Sequence, residues 1–216
     1  MKGNVGIGRF EKGKMNDEDT SVYGIGYSNT LSDQANGQFM YYTADAGYDF
    51  LRDKAYKLGA FFGWGYYGQK SDSMGCAQIA SPVGPCAVPV SKRLVGSQDR
   101  NAPRIGMSAE AMLLERWRVS ADVAYLPWTD FTGRDNHLLR PATAFYDQRG
   151  RSGAGVQVEG TLSYFLSKNL SIGVGARYWA IWTGSISDVS FNYGARTPAK
   201  YSMERSGPFF QTSYKF

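Results

Sequence analysis

The amino-acid sequence predicts an all-β protein, an antiparallel transmembrane β-barrel of about eight strands that forms one domain over residues 1–216. Three observations lead to this prediction. Apolar and polar residues alternate through most of the chain, charged residues stand in the middle of the polar faces, and short turns alternate with long polar segments. Aromatic residues make up 15% of the chain, as membrane barrels with aromatic girdles require.

The predicted strands follow one another along the chain. They cover roughly residues 3–10, 39–51, 56–70, 102–114, 116–130, 155–166, 170–184 and 206–216. The clearest pair is GVQVEGTLSYFL and LSIGVGARYWAIW, which only SKN separates, so the two segments are predicted to form a tight hairpin. An even strand number places both chain ends at the short-turn side. The alternating segment 20–28 is expected to extend a strand beyond the membrane.

Charged residues such as Asp45, Arg104, Glu159 and Arg177 lie mid-strand, opposite unbroken apolar faces. In a soluble β-sandwich, the apolar faces would point inward and these charges would meet water. In an outer-membrane barrel, the apolar faces contact lipid and the charges pair inside the lumen. The alternation of short and long connections favours the barrel.

Aromatic residues near the strand ends favour the barrel as well, because membrane barrels carry aromatic girdles at both interfaces. The predicted girdles consist of Tyr48, Phe50, Tyr56, Tyr164 and Tyr214 at the short-turn side, and of Trp64, Tyr66, Tyr125, Trp128, Trp179 and Trp182 at the long-loop side.

Composition argues against other classes of protein. No apolar run of about 18 residues exists, so no transmembrane helix is predicted. The net charge of +5 comes from scattered Lys and Arg residues, so nucleic acid is not an expected partner. The N-terminal segment MKGNVGIGRF lacks the apolar core of a signal peptide, which indicates either a processed or trimmed form or a protein that is not exported.

The two cysteines, Cys76 and Cys86, lie in one segment rich in proline and glycine, CAQIASPVGPC. Such a local pair suits a disulfide, and therefore an oxidising compartment. A zinc site is not predicted, because no cluster of further ligands accompanies the pair. A reduced, unpaired state of the two thiols stays open.

The only histidine, His137, lies in FTGRDNHLLR two residues after Asp135. A second acidic group, Asp17 and Asp19, lies in GKMNDED within the first predicted long loop. The tops of strands one and five lie on opposite walls of an eight-stranded barrel, on the order of 15 Å apart. The two groups are therefore expected to face each other across the mouth, with room for a water molecule and a peptide bond.

Both motifs resemble those of the omptins, a family of proteases in the outer membrane of Gram-negative bacteria. GKMNDED is similar to the family segment Gly-x-Met-x-Asp-x-Asp, and DNH is similar to its Asp-x-His. YKLGAFFGWGYYGQKS and the closing SYKF also resemble omptin strands. The resemblance implies an aspartic-type endopeptidase with a site at the extracellular rim, formed by Asp17, Asp19, Asp135 and His137.

Each of these residues has an implied role. His137 would take a proton from water, because its unperturbed pKa lies near neutrality. Asp135 would orient the imidazole and stabilise its cation. Asp17 and Asp19 would hold the attacking water, and one of them is expected to share a proton, because two close carboxylates resist double ionisation. Peptides or proteins are the implied substrates, lipopolysaccharide is an implied requirement, and no metal or other cofactor is predicted.

The chain also departs from the omptin pattern. Omptins have ten strands, whereas eight are predicted here, and the chain begins about where the family's third strand does, so the first two strands are predicted to be absent. Either the shorter barrel closes in a new way, or the chain is a fragment of a longer gene product. Gly133 and Arg134 occupy the neighbourhood of the family's acidic specificity residue, so Arg134 is predicted to bind substrate and preference for basic substrates is in doubt. The alternative function is a non-catalytic outer-membrane barrel, structural or adhesive, with a drifted site. A drifted site should lack at least one of the four residues, and none is lacking.

Overall fold

The computed structural model describes residues 1–19, 27–80, 92–139, 144–192 and 194–214, with the side chains of residues 19, 28, 92–94 and 144 outside that description. These ranges form an all-β structure. Its strands are β1 (Lys2–Phe10), β2 (Gly13–Asp19), β3 (Ser28–Arg52), β4 (Tyr56–Gln78), β5 (Lys92–Leu114), β6 (Trp117–Leu126), β7 (Asp130–His137), β8 (Ala144–Arg151), β9 (Ala154–Phe165), β10 (Leu170–Trp182), β11 (Ile186–Phe191), β12 (Arg196–Pro198) and β13 (Ser202–Tyr214).

The strands form one antiparallel sheet with two levels. At the level of the short turns, the order is β1-β3-β4-β5-β6-β9-β10-β13. At the other level, it is β2-β3-β4-β5-β7-β8-β11-β12. The long strands β3, β4 and β5 run through both levels. The prediction of about eight antiparallel strands is therefore confirmed, since the described sheet is eight strands wide at each level.

The sheet is strongly curved around an interior, which we call the lumen. Arg177 of β10 donates a hydrogen bond from Nη1 to Tyr41 Oη of β3 at 2.5 Å, although the two strands are far apart in the sheet. The guanidinium of Arg205 on β13 lies 4.3 Å from the ring centre of Phe39 on β3. Strands β1 and β13 form the two edges, and no pairing between them is present in the described ranges.

Burial along the strands is reversed relative to a soluble protein. On β9, Gln157 is 4% exposed and Thr161 is 5% exposed, whereas their alternating neighbours Val158 and Leu162 are 43% and 38% exposed. The polar side chains therefore face the lumen and the apolar side chains cover the outer surface. This pattern is the one that lipid outside and a packed polar lumen require.

The charges predicted to lie in the lumen form ion pairs there. Arg104 Nη1 lies 2.7 Å from Asp45 Oδ2, and both side chains are almost fully buried. Arg177 Nη2 lies 2.6 Å from Glu159 Oε2 on the neighbouring strand β9. Each guanidinium thus offsets a carboxylate that would be strongly unfavourable alone in a dry interior.

The aromatic girdles are confirmed for several of the predicted residues, with one exception. Tyr48, Phe50, Tyr56 and Tyr214 are exposed near the short turns, and Trp64, Tyr125, Trp128 and Trp182 are exposed farther along the strands. Trp179 is the exception, and its prediction was wrong. It is 6% exposed and packs edge-on against Tyr41 at 5.1 Å between ring centres, because its position on β10 alternates with the outward residues.

The segments predicted as long polar loops contain strands instead. GKMNDED is β2, which pairs with the first half of β3, and FTGRDNH belongs to β7, which pairs with β5 and β8. Strands β3, β4 and β5 contain 25, 23 and 23 residues, more than twice the about 9–11 residues that a transmembrane strand needs. Within the segment 20–28 predicted to extend a strand, residues 20–26 lie outside the described residues.

No helix in the described ranges is long and apolar enough to span a membrane. Cys76 lies in β4 and is not a free thiol. Its predicted partner Cys86 lies outside the described residues, so the bridge between them stays a prediction.

Candidate functional site

Strand β2 carries the first acidic residues of the site. Asp17 lies opposite Thr30 of β3 and is partly buried, as are Gly13 and Met15 on the same face of the strand. The residues between them are exposed, so alternation turns Asp17 toward the lumen. Asp19 ends β2, and its side chain lies outside the described part of the structure.

Strand β7 carries the second pair of residues. Asp135 lies opposite Gly96 of β5 and Tyr146 of β8, while the half of β5 near the short turns pairs with β6 from Ile105 onward. Gly96 lies about 30 Å along the strand from Ile105 at the usual rise per residue. Asp135 therefore stands at the end of the sheet opposite the short turns, which we call the rim.

The rim brings Asp17 and Asp135 together, although β3, β4 and β5 separate their strands in the sheet. Burial, and to a smaller extent the charge of Asp17, raise the pKa of Asp135 to about 7. A hydrogen bond from Gln148 acts against this rise and favours the ionised carboxylate. The two carboxylates from opposite walls are thus electrostatically coupled.

His137 lies two residues after Asp135 on the same face of β7 and opposite Ala144 of β8. Its ring meets the ring of Tyr146 edge-on, with 4.2 Å between their centres. Tyr146 in turn packs against Phe191 of β11 at 4.8 Å. Aromatic packing from two further strands therefore fixes the plane of the imidazole.

Gln148 of β8 makes the direct contact with Asp135. Its Nε2 donates a hydrogen bond to Asp135 Oδ2 at 2.5 Å. The side chain of Gln148 passes over Gly133, its register partner on β7. The carboxylate of Asp135 is therefore held by a neutral donor from a neighbouring strand.

Below these residues, Phe131 closes the floor of the site. The Phe131 ring, on β7, stacks on the Tyr201 ring with 4.6 Å between their centres. The guanidinium of Arg100 lies 4.7 Å from the centre of the Phe131 ring. Burial raises the pKa of Tyr201, and the charges of Asp135, Asp188 and Asp17 raise it further. Tyr201 therefore stays a neutral phenol, and its hydroxyl donates to the backbone oxygen of Asp188 at 3.2 Å.

Arg134, predicted to bind substrate, lies on the other face of β7. It is the register partner of Ser97, one position from the Asp135–Gly96 pair, and alternation turns it outward. Its Nε lies 2.7 Å from Asp147 Oδ1 on β8, and the side chain is 44% exposed. Arg134 therefore does not share the lumen face with Asp135, and a substrate contact for it stays a prediction.

The residues at the site that sequence reasoning missed include Tyr146, Gln148 and Tyr201. The segment 144–151 carries a signal that was available, since AFYDQRGR alternates and places Tyr146 and Gln148 on one face. Their contact with β7 depends on strand pairing, which the sequence pattern does not reveal.

The arrangement offers one histidine, a coupled pair of carboxylates and a neutral donor on one of them. Such a set can hold a water molecule and accept its proton. In the described ranges, no group of three or more His, Cys, Asp and Glu residues is arranged to hold a metal ion.

Comparison with known proteins relates this architecture to a solved structure. No protein-family model and no curated protein matches the chain. The crystal structure of the outer membrane protease OmpT from Escherichia coli superimposes with a TM-score of 0.72 at 16% sequence identity, over 98% of this chain and 79% of the OmpT chain. The chain therefore has an omptin-like fold, an antiparallel all-β architecture similar to that of the OmpT barrel.

Proposed function

We propose that this chain is an omptin-like endopeptidase of the bacterial outer membrane, with a water-activating site of Asp17, Asp19, Asp135 and His137 at the extracellular rim. One observation carries the proposal. Asp17 of β2 and Asp135 of β7 come from walls separated by three strands, yet the charge of Asp17 reaches Asp135 and raises its pKa. Two carboxylates and the only histidine of the chain thus converge at one end of the lumen.

In the proposed reaction, His137 is the general base. Its neutral imidazole accepts a proton from a water molecule as the water attacks the carbonyl carbon of a peptide bond, and the imidazolium then returns a proton to the leaving amine. Ionised Asp135 stabilises the imidazolium and keeps the ring in place. Tyr146 packs edge-on against the imidazole and restricts its orientation.

The carboxylates of Asp17 and Asp19 have a role separate from that of Asp135. They hold the attacking water from the opposite wall. Sharing of one proton was expected between Asp17 and Asp19, whereas the described coupling joins Asp17 and Asp135. Because Asp135 must be ionised to support His137, the rate of cleavage should rise as the pH passes through neutrality.

The outer surface supports an outer-membrane location and a requirement for lipopolysaccharide. Apolar side chains cover the membrane half of the sheet, as shown by the exposed Val158 and Leu162 on β9. Arg9 and Lys70 line one groove of the surface together with Tyr66. Cations beside an aromatic belt suit the phosphate groups of a lipopolysaccharide.

The proposal is tested by replacing the base. His137→Ala in the native chain, folded in detergent with lipopolysaccharide, should reduce peptide cleavage by about 10²–10⁴-fold, as the loss of a general base does. The heat-modifiable gel mobility of the folded barrel should stay unchanged. A diverse peptide library is the substrate, because the preferred sequence is unknown.

Asn136→Ala is the matched control, because Asn136 lies between Asp135 and His137 and alternates to the other face of β7. It should cleave peptides at the wild-type rate. A folded wild-type protein that cleaves no peptide of the library would refute the protease proposal. The alternative, a non-catalytic structural or adhesive barrel, would then take its place.

A further inference from the structure

Gln148 is a buried residue at the site to which the proposed reaction assigns no step. Its side chain is 8% exposed and lies between the register partners Gly133 of β7 and Val189 of β11. Its Nε2 donates to Asp135 Oδ2 at 2.5 Å. An amide from a neighbouring strand therefore contacts the carboxylate that is proposed to act on His137.

Gly133 provides the space that the amide occupies. A Cβ atom at position 133 would lie 2.5 Å from Gln148 Oε1 and 3.0 Å from the ring of Phe131. The position of the Gln148 side chain thus depends on the absence of a side chain at its register partner.

Packing stability does not explain this amide. Gln148 Oε1 is buried and has no hydrogen-bond partner in the described ranges. Burial of an acceptor without a donor is unfavourable, and such a group in a folded protein calls for an explanation. The contacts offer one explanation: the Nε2 of the same amide donates a hydrogen bond to Asp135.

The other groups around Asp135 do not replace this donor. Asp17 faces it from β2, Tyr146 from β8, His137 from its own strand and Tyr201 from the segment after β12, while the register partner on β5 is Gly96. Burial and the charge of Asp17 favour the protonated carboxyl group, whereas the N–H of Gln148 favours the ionised one.

We propose that Gln148 is a positioning residue, whose amide holds the carboxylate of Asp135 ionised and oriented toward its work on His137. Its catalytic meaning rests on the proposed protease function, whereas its hold on Asp135 can be measured without any substrate. Gln148 itself does not touch the reacting atoms.

The single histidine makes a direct measurement feasible. With ¹³C-labelled histidine in the native chain, folded in detergent with lipopolysaccharide, the only imidazole signal is that of His137. Its chemical shift should follow the ionisation of the nearby Asp135. Gln148→Leu should move that inflection to higher pH by about one unit, because a donor to the ionised form is lost.

Gln157→Leu is the matched control. Gln157 is also a buried glutamine of the lumen, with an Oε1 that lacks a partner in the described ranges, and it lies on β9 at the membrane level. This variant should leave the titration of His137 unchanged.

The pH profile of cleavage gives a second measurement. In Gln148→Leu, the acid limb of kcat/KM should move to higher pH by the same amount, so cleavage near pH 6 falls about tenfold and recovers at alkaline pH. The change should appear in kcat more than in KM. A merely structural role for Gln148 would lower the rate equally at every pH.

Gly133→Ala tests the proposal without removing the amide, and it serves if Gln148→Leu does not fold. The new Cβ should displace the amide and shift the titration in the same direction. Gly160→Ala is its control, because a Cβ at position 160 meets open space.

The two proposals fail in different ways. An unchanged His137 titration in both folded variants, Gln148→Leu and Gly133→Ala, overturns the role of Gln148 even if the wild type cleaves peptides. A shifted titration in a protein that cleaves no peptide supports the hold of Gln148 on Asp135 and overturns the protease function instead.

Discussion

The ionised form of Asp135 is unfavourable in the folded protein. Its carboxyl group is buried at the rim and faces the charge of Asp17, and both effects raise its pKa to about 7. The folded protein therefore binds the proton of Asp135 more tightly than the unfolded chain does. This preference stabilises the fold below the ordinary pKa of an aspartate, and the stabilisation is lost as the pH rises through about 7.

Asp135→Asn should therefore stabilise the protein at pH 8 and leave its stability nearly unchanged at pH 4. A tenfold change in proton affinity corresponds to about 1.4 kcal/mol, and partial hydration of the rim reduces the effect, so we expect roughly 2–4 kcal/mol at pH 8. The temperature at which the heat-modifiable mobility is lost provides the measurement. Cleavage by the same variant should be impaired, because an amide does not stabilise the imidazolium of His137.

Asp33→Asn is a suitable control for this pH dependence, because the Asp33 side chain is 66% exposed and pairs with Lys14 at the surface. It should change the stability little at either pH. Equal stability of Asp135→Asn and wild type at pH 8 would contradict the burial of an unfavourable charge at position 135.

Strand β7 serves two surfaces at once through alternation. Asp135 and His137 face the lumen, while Arg134 pairs with Asp147 on the outer face. One step along the strand therefore separates the lumen-facing Asp135 from the surface ion pair of Arg134. The same rule explains why a one-residue change of register would dismantle the site.

Arg134→Ala should leave cleavage measurable and within about tenfold of wild type, because an exposed ion pair contributes only about 0–1 kcal/mol. Any role in substrate choice should appear as a changed preference among peptides in the library, with Asp147→Asn as the paired control. Loss of cleavage as complete as in His137→Ala would contradict the outward placement of Arg134.

The interior of the whole molecule is filled largely by polar side chains and paired charges. Arg104 and Asp45 connect β5 with β3 across β4, and Arg177 joins Glu159 to Tyr41 on a distant strand. These contacts fill the interior, which fits the side-chain-packed lumen of a narrow barrel.

Arg104→Met should destabilise the barrel strongly, by about 3–5 kcal/mol, because it leaves the carboxylate of Asp45 buried without its cation. The temperature of the heat-modifiable gel shift should fall accordingly. Lys14→Ala, which removes the exposed partner of Asp33, is the control and should have little effect. A stable Arg104→Met protein would contradict the dry, paired lumen.

The sequence by itself determined the fold class and the inside-out pattern, because both follow from alternation within single strands. Val158 and Gln157 are assigned to opposite faces by their neighbours alone, and their exposures agree. The pairing of Asp135 with His137 on one face is equally local, since the two residues are separated by one position.

Only the tertiary structure decided which strands meet. It turned the predicted loops into β2 and β7, brought Asp17 to Asp135 and laid Gln148 over Gly133. The physical reason is that register and curvature come from hydrogen bonds and packing between residues far apart in the chain, and a period of two is satisfied by many registers. Alternation predicts which residues face the lumen, whereas the curvature of the sheet around the lumen determines which of these residues contact one another.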